Sequence, residues 1–127
     1  MYVYYNPNPT GRNTAGDCSI RAVAKALDIS WEDAYAKIVV NGFRMGDVIS
    51  SNSVWGSVLR MNGFKRENLP NHCPDCYTVE RFAYDHPEGV YVVGTDNHVV
   101  TIESGDWFDS WNSKDEVVQY FWYKEGR

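Results

Sequence analysis

The sequence lacks the features that would place the protein in a membrane or on nucleic acid. No apolar run approaches the roughly 20 residues of a membrane span. Lys and Arg form no cluster and the net charge is −5, so the sequence also lacks the basic patch that is typical of nucleic-acid-binding proteins. The first residues, 1–7, have neither the basic nor the apolar region of a signal peptide. We therefore expect no nucleic-acid partner and no membrane partner.

Cysteine is scarce, and its count of three is odd. A secreted disulfide framework usually has an even number of cysteines. Together with the missing signal region, the odd count indicates a reducing cytoplasm. The three cysteines are then expected to be thiols, metal ligands or packing residues.

The remaining composition is that of a folded domain. The chain has 127 residues, of which 43% are hydrophobic and 15% aromatic. This length is enough for one domain with a real core and too short for two ordinary ones. We expect a single domain over residues 1–127.

Helical signals come first along the chain, and strand signals follow. Residues 1–16 read as an extended lead-in, 42–51 as a loop and 64–77 as irregular. Apolar spacings and capping residues predict helices near 18–27, 31–39, 53–61 and 79–84. Strands are predicted at 90–93, at 99–102, from 107 and at 117–123. The fold class expected is α+β, with an N-terminal helical half packed on a C-terminal antiparallel meander.

Cys18 lies at the predicted start of the first helix, directly after Asp17. An Asp at this position is a good N-cap, because its carboxylate can accept the free N–H groups of the first turn. The helix dipole there favours negative charge and lowers the pKa of a thiol. Because the thiolate is the nucleophile, Cys18 is the candidate catalytic residue.

A nucleophilic cysteine needs a base, and three histidines are available. His72 lies in the irregular stretch, and His86 precedes a proline at a helix end. His98 opens a predicted strand directly after a tight turn, and a strand holds its side chains rigidly. His98 is therefore the preferred base.

The group that orients the base should come from the next strand. If Glu103 pairs with Trp107 across the turn, His98 falls opposite position 111 or 112. Asp109 and Asn112 are then both candidates, depending on register. For the oxyanion, the backbone N–H of Cys18 is one candidate donor. The side-chain amide of Asn13 is a second candidate, although a role in a turn is at least as plausible for this residue.

A cysteine that opens an N-terminal helix, followed much later by a histidine and then an Asp or Asn, resembles the papain-like cysteine peptidases. The spacing is closest to reduced members such as bacteriocin-leader-processing peptidases and Josephin-type deubiquitinases. The resemblance implies that Cys18 is the nucleophile, His98 the base and Asp109 the orienting acid. One departure is clear: where these enzymes place an oxyanion-hole Gln, this chain has Arg12, with Asn13 next to it.

A second resemblance covers nearly the whole chain. Small proteins of phage and prophage genomes are similar in several blocks, which here are Gly16-Asp17-Cys18, His98-Val99-Val100 and Phe108-Asp109-Ser110-Trp111. If the chain is phage-encoded, the expected location is the host cytoplasm.

Cys73 and Cys76 form a CxxC motif beside His72. A structural zinc site needs four ligands, and no second pair follows. A redox role is weakly indicated. Two cysteines that pack in a turn are the simplest interpretation.

The expected function is hydrolysis of an amide, peptide or isopeptide bond in a protein or peptide substrate by Cys18, His98 and Asp109, without metal or organic cofactor. Two alternatives stay open. One is acyl transfer or deamidation by the same three residues. The other is a non-catalytic phage protein that keeps the fold to bind a host factor.

Overall fold

Four helices and six strands form an α+β structure in this computed structural model, which describes residues 1–70 and 73–124. The helices are α1 (Cys18–Leu27), α2 (Trp31–Met45), α3 (Asn52–Met61) and α4 (Val79–Asp85). The strands are β1 (Tyr2–Tyr4), β2 (Phe64–Asn68), β3 (Val90–Gly94), β4 (Val99–Glu103), β5 (Asp106–Asp109) and β6 (Tyr120–Lys124). The expected α+β class is confirmed at this level.

Helix α1 has the bounds that its apolar stripe predicts. Ile20, Val23 and Ala24 are buried on this stripe, and Leu27 packs beside them. The helix ends at Asp28, which adopts the left-handed conformation with φ of 56°. A short Asp tolerates this conformation better than most residues do. The stripe faces the sheet, so it fixes which way the start of α1 points.

Helix α2 is longer than predicted, because Asn41-Gly42 does not end it. The Asn41 amide donates to the Ser57 hydroxyl at 2.9 Å, so a residue that usually breaks helices has a partner on α3. Gly42 allows a close approach of the chain that follows the helix, since an added Cβ would lie 3.0 Å from the Asp47 carbonyl oxygen. The helix instead ends at Gly46, whose φ is 69°.

The strand order is β1-β5-β4-β3-β6-β2. Only β3, β4 and β5 form the predicted meander, because β6 pairs antiparallel with β3 rather than with β5. The predicted pairing of Glu103 with Trp107 is wrong by one residue. Glu103 pairs with Asp106, and Ile102 pairs with Trp107.

Two strands lie where none was predicted, β1 in the extended lead-in 1–16 and β2 in the segment 64–77 that was expected to be irregular. β1 pairs parallel with β5, and β2 pairs antiparallel with β6. Each forms one edge of the sheet. The predicted strand from residue 117 begins only at Tyr120, and Val117 makes an isolated bridge to Thr78.

Both faces of the sheet are covered. Helices α1, α2 and α3 pack on one face around Val23, Trp55 and Val92. Helix α4 packs on the other face, where Phe82 and Val93 are fully buried. The two cores place the start of α1 beside the turn between β3 and β4. None of the helices in the described ranges is long and apolar enough to cross a membrane.

Candidate active site

Cys18 is the first residue of α1 and lies half-buried in a cleft of about 240 Å³. The cleft also contains His98 and Tyr120 from the sheet side of the molecule. The predicted cap is wrong in its detail, because the Asp17 side chain makes no capping hydrogen bond to the helix backbone. It is turned inward, where it accepts hydrogen bonds from Asn8 at 3.0 Å and from the Trp31 indole at 2.9 Å.

His98 directly precedes β4, at the end of the turn that begins at Thr95. The Thr95 N–H donates to the His98 carbonyl at 2.8 Å, which holds the backbone of the turn. The ring is 8% exposed, and its Nε2 lies 2.6 Å from Oδ2 of Asp109 at the end of β5. This hydrogen bond fixes the ring and leaves Nδ1 as the nitrogen available to Cys18.

The thiol of Cys18 and the ring of His98 shift each other's ionisation. Burial alone would lower the pKa of His98, but hydrogen bonds to Asp109 and Cys18 and their negative charges raise it to about 9. Burial alone would also raise the pKa of Cys18. The interaction with His98, the backbone N–H of Val99 and the positive charge of Arg21 outweigh burial and lower that pKa. Both shifts favour a thiolate beside an imidazolium over the neutral pair.

Asp109 is held as a carboxylate acceptor from several directions. It is 2% exposed, and its Oδ1 accepts the Ser110 N–H at 2.8 Å. Its Oδ2 accepts the Ser113 hydroxyl at 2.7 Å in addition to the His98 ring. A carboxylate with this many donors keeps its orientation, so it can stabilise a protonated His98.

Arg21 connects the two buried carboxylates of the site. It forms an ion pair with Asp17 one turn earlier on α1, and its second guanidinium nitrogen lies 3.7 Å from Asp109 Oδ1. Arg21 is itself only 6% exposed. A buried arginine of this kind compensates charges that would otherwise be costly to bury. The ion pair of Arg21 and Asp17 is therefore connected to the site through Asp109.

Asn112 does not contact His98. Its side-chain oxygen accepts from the Trp107 indole at 3.0 Å and from the Lys114 N–H at 3.3 Å. Of the two residues that the sequence left as candidates, Asp109 is the one that reaches the ring. The chain turns after β5, so position 112 leaves the sheet before it can face His98.

Asn13 lies on the surface, and its amide donates to the Ser110 carbonyl at 3.3 Å. Within the described part of the chain, it does not line the cleft that holds Cys18. A role for Asn13 in an oxyanion hole stays a prediction. The start of α1 provides the other predicted donor, the Cys18 N–H.

The other histidines and cysteines are placed elsewhere. The His86 ring stacks on Phe82, with ring centroids 3.9 Å apart, and His72 lies outside the described residues. Cys73 and Cys76 form a disulfide, so the expectation that all three cysteines are thiols, ligands or packing residues is wrong for these two. Their Cα atoms are 4.4 Å apart, within bridging range. Residues 1–70 and 73–124 contain no cluster of His, Cys, Asp and Glu suited to a metal ion.

Two aromatic residues of the site gave only a general signal in the sequence. Trp111 packs against the His98 ring, with centroids 4.8 Å apart, and is 42% exposed. Tyr120 lines the cleft and lies over Gly94, where no larger residue would fit. Which aromatic ring borders Cys18 depends on the fold and not on a local sequence pattern.

Comparison with known proteins adds no assignment, since no family model, curated protein or solved structure matches the chain. The chemistry that the cleft supports must be argued from its own residues.

Proposed function

We propose that the protein is a cysteine hydrolase of amide, peptide or isopeptide bonds, with a papain-like arrangement of helix and sheet around its catalytic residues. The observation that carries the proposal is the placement of Cys18 and His98 in one open cleft, with Asp109 hydrogen-bonded to the His98 ring and the pKa of Cys18 lowered by His98. A cysteine that only packs in a core needs no lowered pKa, no histidine and no orienting carboxylate.

The first half of the reaction forms a thioester. The Cys18 sulfur attacks the carbonyl carbon of the substrate, and the carbonyl electrons move to oxygen. The tetrahedral intermediate collapses as the C–N bond breaks, and protonated His98 gives its proton to the leaving amine. Asp109 keeps the imidazolium oriented and stabilises its charge.

The second half releases the acid. His98, now neutral, accepts a proton from water, and the hydroxide attacks the thioester carbon. The C–S bond breaks and the thiolate leaves, with its charge stabilised again by the protonated His98. In both halves, the backbone N–H of Cys18 and the positive end of α1 stabilise the oxyanion.

The proposal is tested with an activated ester, p-nitrophenyl acetate, and intact-protein mass spectrometry. We expect an acetyl group on Cys18 that accumulates rapidly and then turns over. Cys18→Ser and His98→Ala should abolish this acylation. The double variant Cys73→Ser/Cys76→Ser should keep it, which controls for the other two sulfurs. A Cys18 that carries no acetyl group at any time while the ester is in excess, in a protein that releases p-nitrophenolate no faster than Cys18→Ser, would contradict the proposal and favour a protein that uses the fold only for binding.

Adding hydroxylamine or methylamine to the same reaction separates hydrolysis from acyl transfer. A hydrolase gives mostly the free acid even at high amine concentration. A dominant amide product would instead assign the acyl-transfer alternative to the same three residues.

A further inference from the structure

We propose that the cleft at Cys18 continues into a carboxylate-binding subsite formed by Arg60 and Arg66, which selects peptide substrates with an acidic side chain near the scissile bond. The inference rests on the proposed function for its catalytic meaning, but the binding of a carboxylate can be tested without it.

The subsite adjoins the candidate active site. A second cavity of about 270 Å³ shares Asn52, Trp55 and Tyr120 with the cleft that holds Cys18. Tyr120 borders both cavities, and its pKa is affected by a charged group of each. Burial raises the pKa of Tyr120, positive charge on Arg66 opposes this rise, and negative charge on Cys18 adds to it. A substrate bound at Cys18 can therefore reach the arginines along one continuous surface.

Both arginines lie over aromatic rings that line the second cavity. The guanidinium carbon of Arg66 is 4.1 Å from the centroid of the Tyr120 ring, and that of Arg60 is 5.0 Å from the Trp122 ring. Stacking of this kind restricts a guanidinium while its N–H edges stay free to donate. The arginines come from α3 and β2, so the fold brings together two charges that are not neighbours in the sequence.

The positive charge of this subsite is not neutralised by nearby carboxylates. Within residues 1–70 and 73–124, neither arginine forms a salt bridge, and the one side-chain hydrogen bond of Arg66 goes to the neutral Asn68 at 2.8 Å. No Asp or Glu of that described part lines the second cavity. Asp96 lines the cleft at Cys18 instead. In a protein with a net charge of −5, this local concentration of positive charge stands out.

The first turn of α3 adds to the same preference. Asn52 and Ser53, the first two residues of α3, line the cavity beside the arginines. The positive end of a ten-residue helix favours a bound anion. An arginine pair with free donor edges binds a planar carboxylate better than it binds a neutral amide. The expected substrate is thus a peptide with Asp or Glu beside the bond that Cys18 attacks.

The catalytic part of the proposal is tested with two matched electrophiles, the α-amides of iodoacetyl-glutamate and iodoacetyl-glutamine. The rate of each probe with Cys18 is divided by its rate with N-acetylcysteine, which corrects for any difference in chemical reactivity between the two probes. We expect the glutamate probe to react about tenfold faster, the value of one charge-assisted hydrogen bond. Arg66→Gln and Arg60→Gln should bring the ratio of the normalised glutamate rate to the normalised glutamine rate near one. Arg44→Gln, which makes the same charge change on α2, should leave this ratio unchanged.

The binding part is tested in Cys18→Ser with the unreactive α-amides of acetyl-glutamate and acetyl-glutamine. Only the glutamate compound should shift the indole N–H signals of Trp55 and Trp122, and Arg66→Gln should remove the shifts. A glutamate preference at or below one, or one that Arg66→Gln and Arg60→Gln leave intact, overturns the subsite. Absence of the indole shifts with the glutamate compound also overturns the subsite, whereas indole shifts in a protein whose Cys18 is not acylated by p-nitrophenyl acetate keep the subsite and overturn the hydrolase.

Discussion

Asp109 Oδ2 lies 2.6 Å from His98 Nε2, although the two residues come from different strands and both are buried. This one contact determines which ring nitrogen can face Cys18, and it keeps the imidazole charged in a site where burial would otherwise favour the neutral form.

Replacing Asp109 with Asn keeps the shape of the side chain and removes its charge. The pKa of His98 should fall, and with it the fraction of Cys18 present as thiolate at neutral pH. We expect the alkylation rate of Cys18 at pH 7 to drop by about 10- to 100-fold, from the loss of a charge-assisted hydrogen bond. Asn112→Ala, which removes a residue without contact to His98, should leave the rate within about twofold. Equal losses in both variants would show that Asp109 does not act on the ring.

The raised pKa of His98 predicts a pH-dependent stability that is best measured in Cys18→Ser, where the second titrating group is absent. His98 binds its proton more tightly in the folded state than in the unfolded state, whose pKa is 6.5. Its stabilising contribution is therefore complete below pH 6.5 and is lost as the pH rises through the folded-state pKa, which Asp109 still raises in this variant although the contributions of Cys18 are absent. Relative to His98→Asn in the same background, we expect a loss of about 1–2 kcal/mol of unfolding free energy. Parallel stability curves in the two proteins would contradict the raised pKa.

Arg21 should contribute to stability because it compensates two buried carboxylates. Arg21→Lys keeps the charge but cannot bond Asp17 and Asp109 at once, so we expect the unfolding free energy to fall by about 1–3 kcal/mol. Arg44→Lys, at an exposed position of α2, should change it by less than about 0.5 kcal/mol. Urea unfolding of the two variants makes the comparison, and similar midpoints would argue against a buried role for Arg21.

Gly94 should be required for the position of Tyr120. An added Cβ at Gly94 would overlap the Tyr120 ring, so Gly94→Ala must displace the ring or the strand. We expect a destabilisation of about 1–3 kcal/mol and a changed reactivity of Cys18. Gly16→Ala is the matched control, since a Cβ there meets nothing within 4 Å although Gly16 lines the same cleft. A fully stable Gly94→Ala protein would show that the ring can move without cost.

Local patterns in the sequence predicted the helices better than the sheet. The stripe of α1 gave its bounds correctly because the same residues form the core. Asn41-Gly42 misled the prediction of α2, since the partners that satisfy Asn41 lie on another helix. β2 was missed because Phe64 is its only buried residue, so an edge strand of this kind has no alternating pattern.

The features that the sequence did not predict depend mainly on pairing between strands that are distant along the chain. The insertion of β6 beside β3 and the parallel pairing of β1 with β5 depend on contacts that turn lengths do not determine. In the site, residue types and chain order were enough to nominate Cys18, His98 and Asp109, which the structure brings together. The choice between Asp109 and Asn112 and the arginine-lined cavity needed the fold, because each depends on which strands are neighbours.

The most direct test of the central claim is the pH dependence of Cys18 alkylation by iodoacetamide. If the thiol is paired with His98, the inflection of the rate should lie below pH 9.0, the ordinary pKa of a cysteine thiol. His98→Ala should move the inflection upward and slow the reaction at pH 7. An inflection near pH 9.0 that is the same with and without His98 would contradict the account.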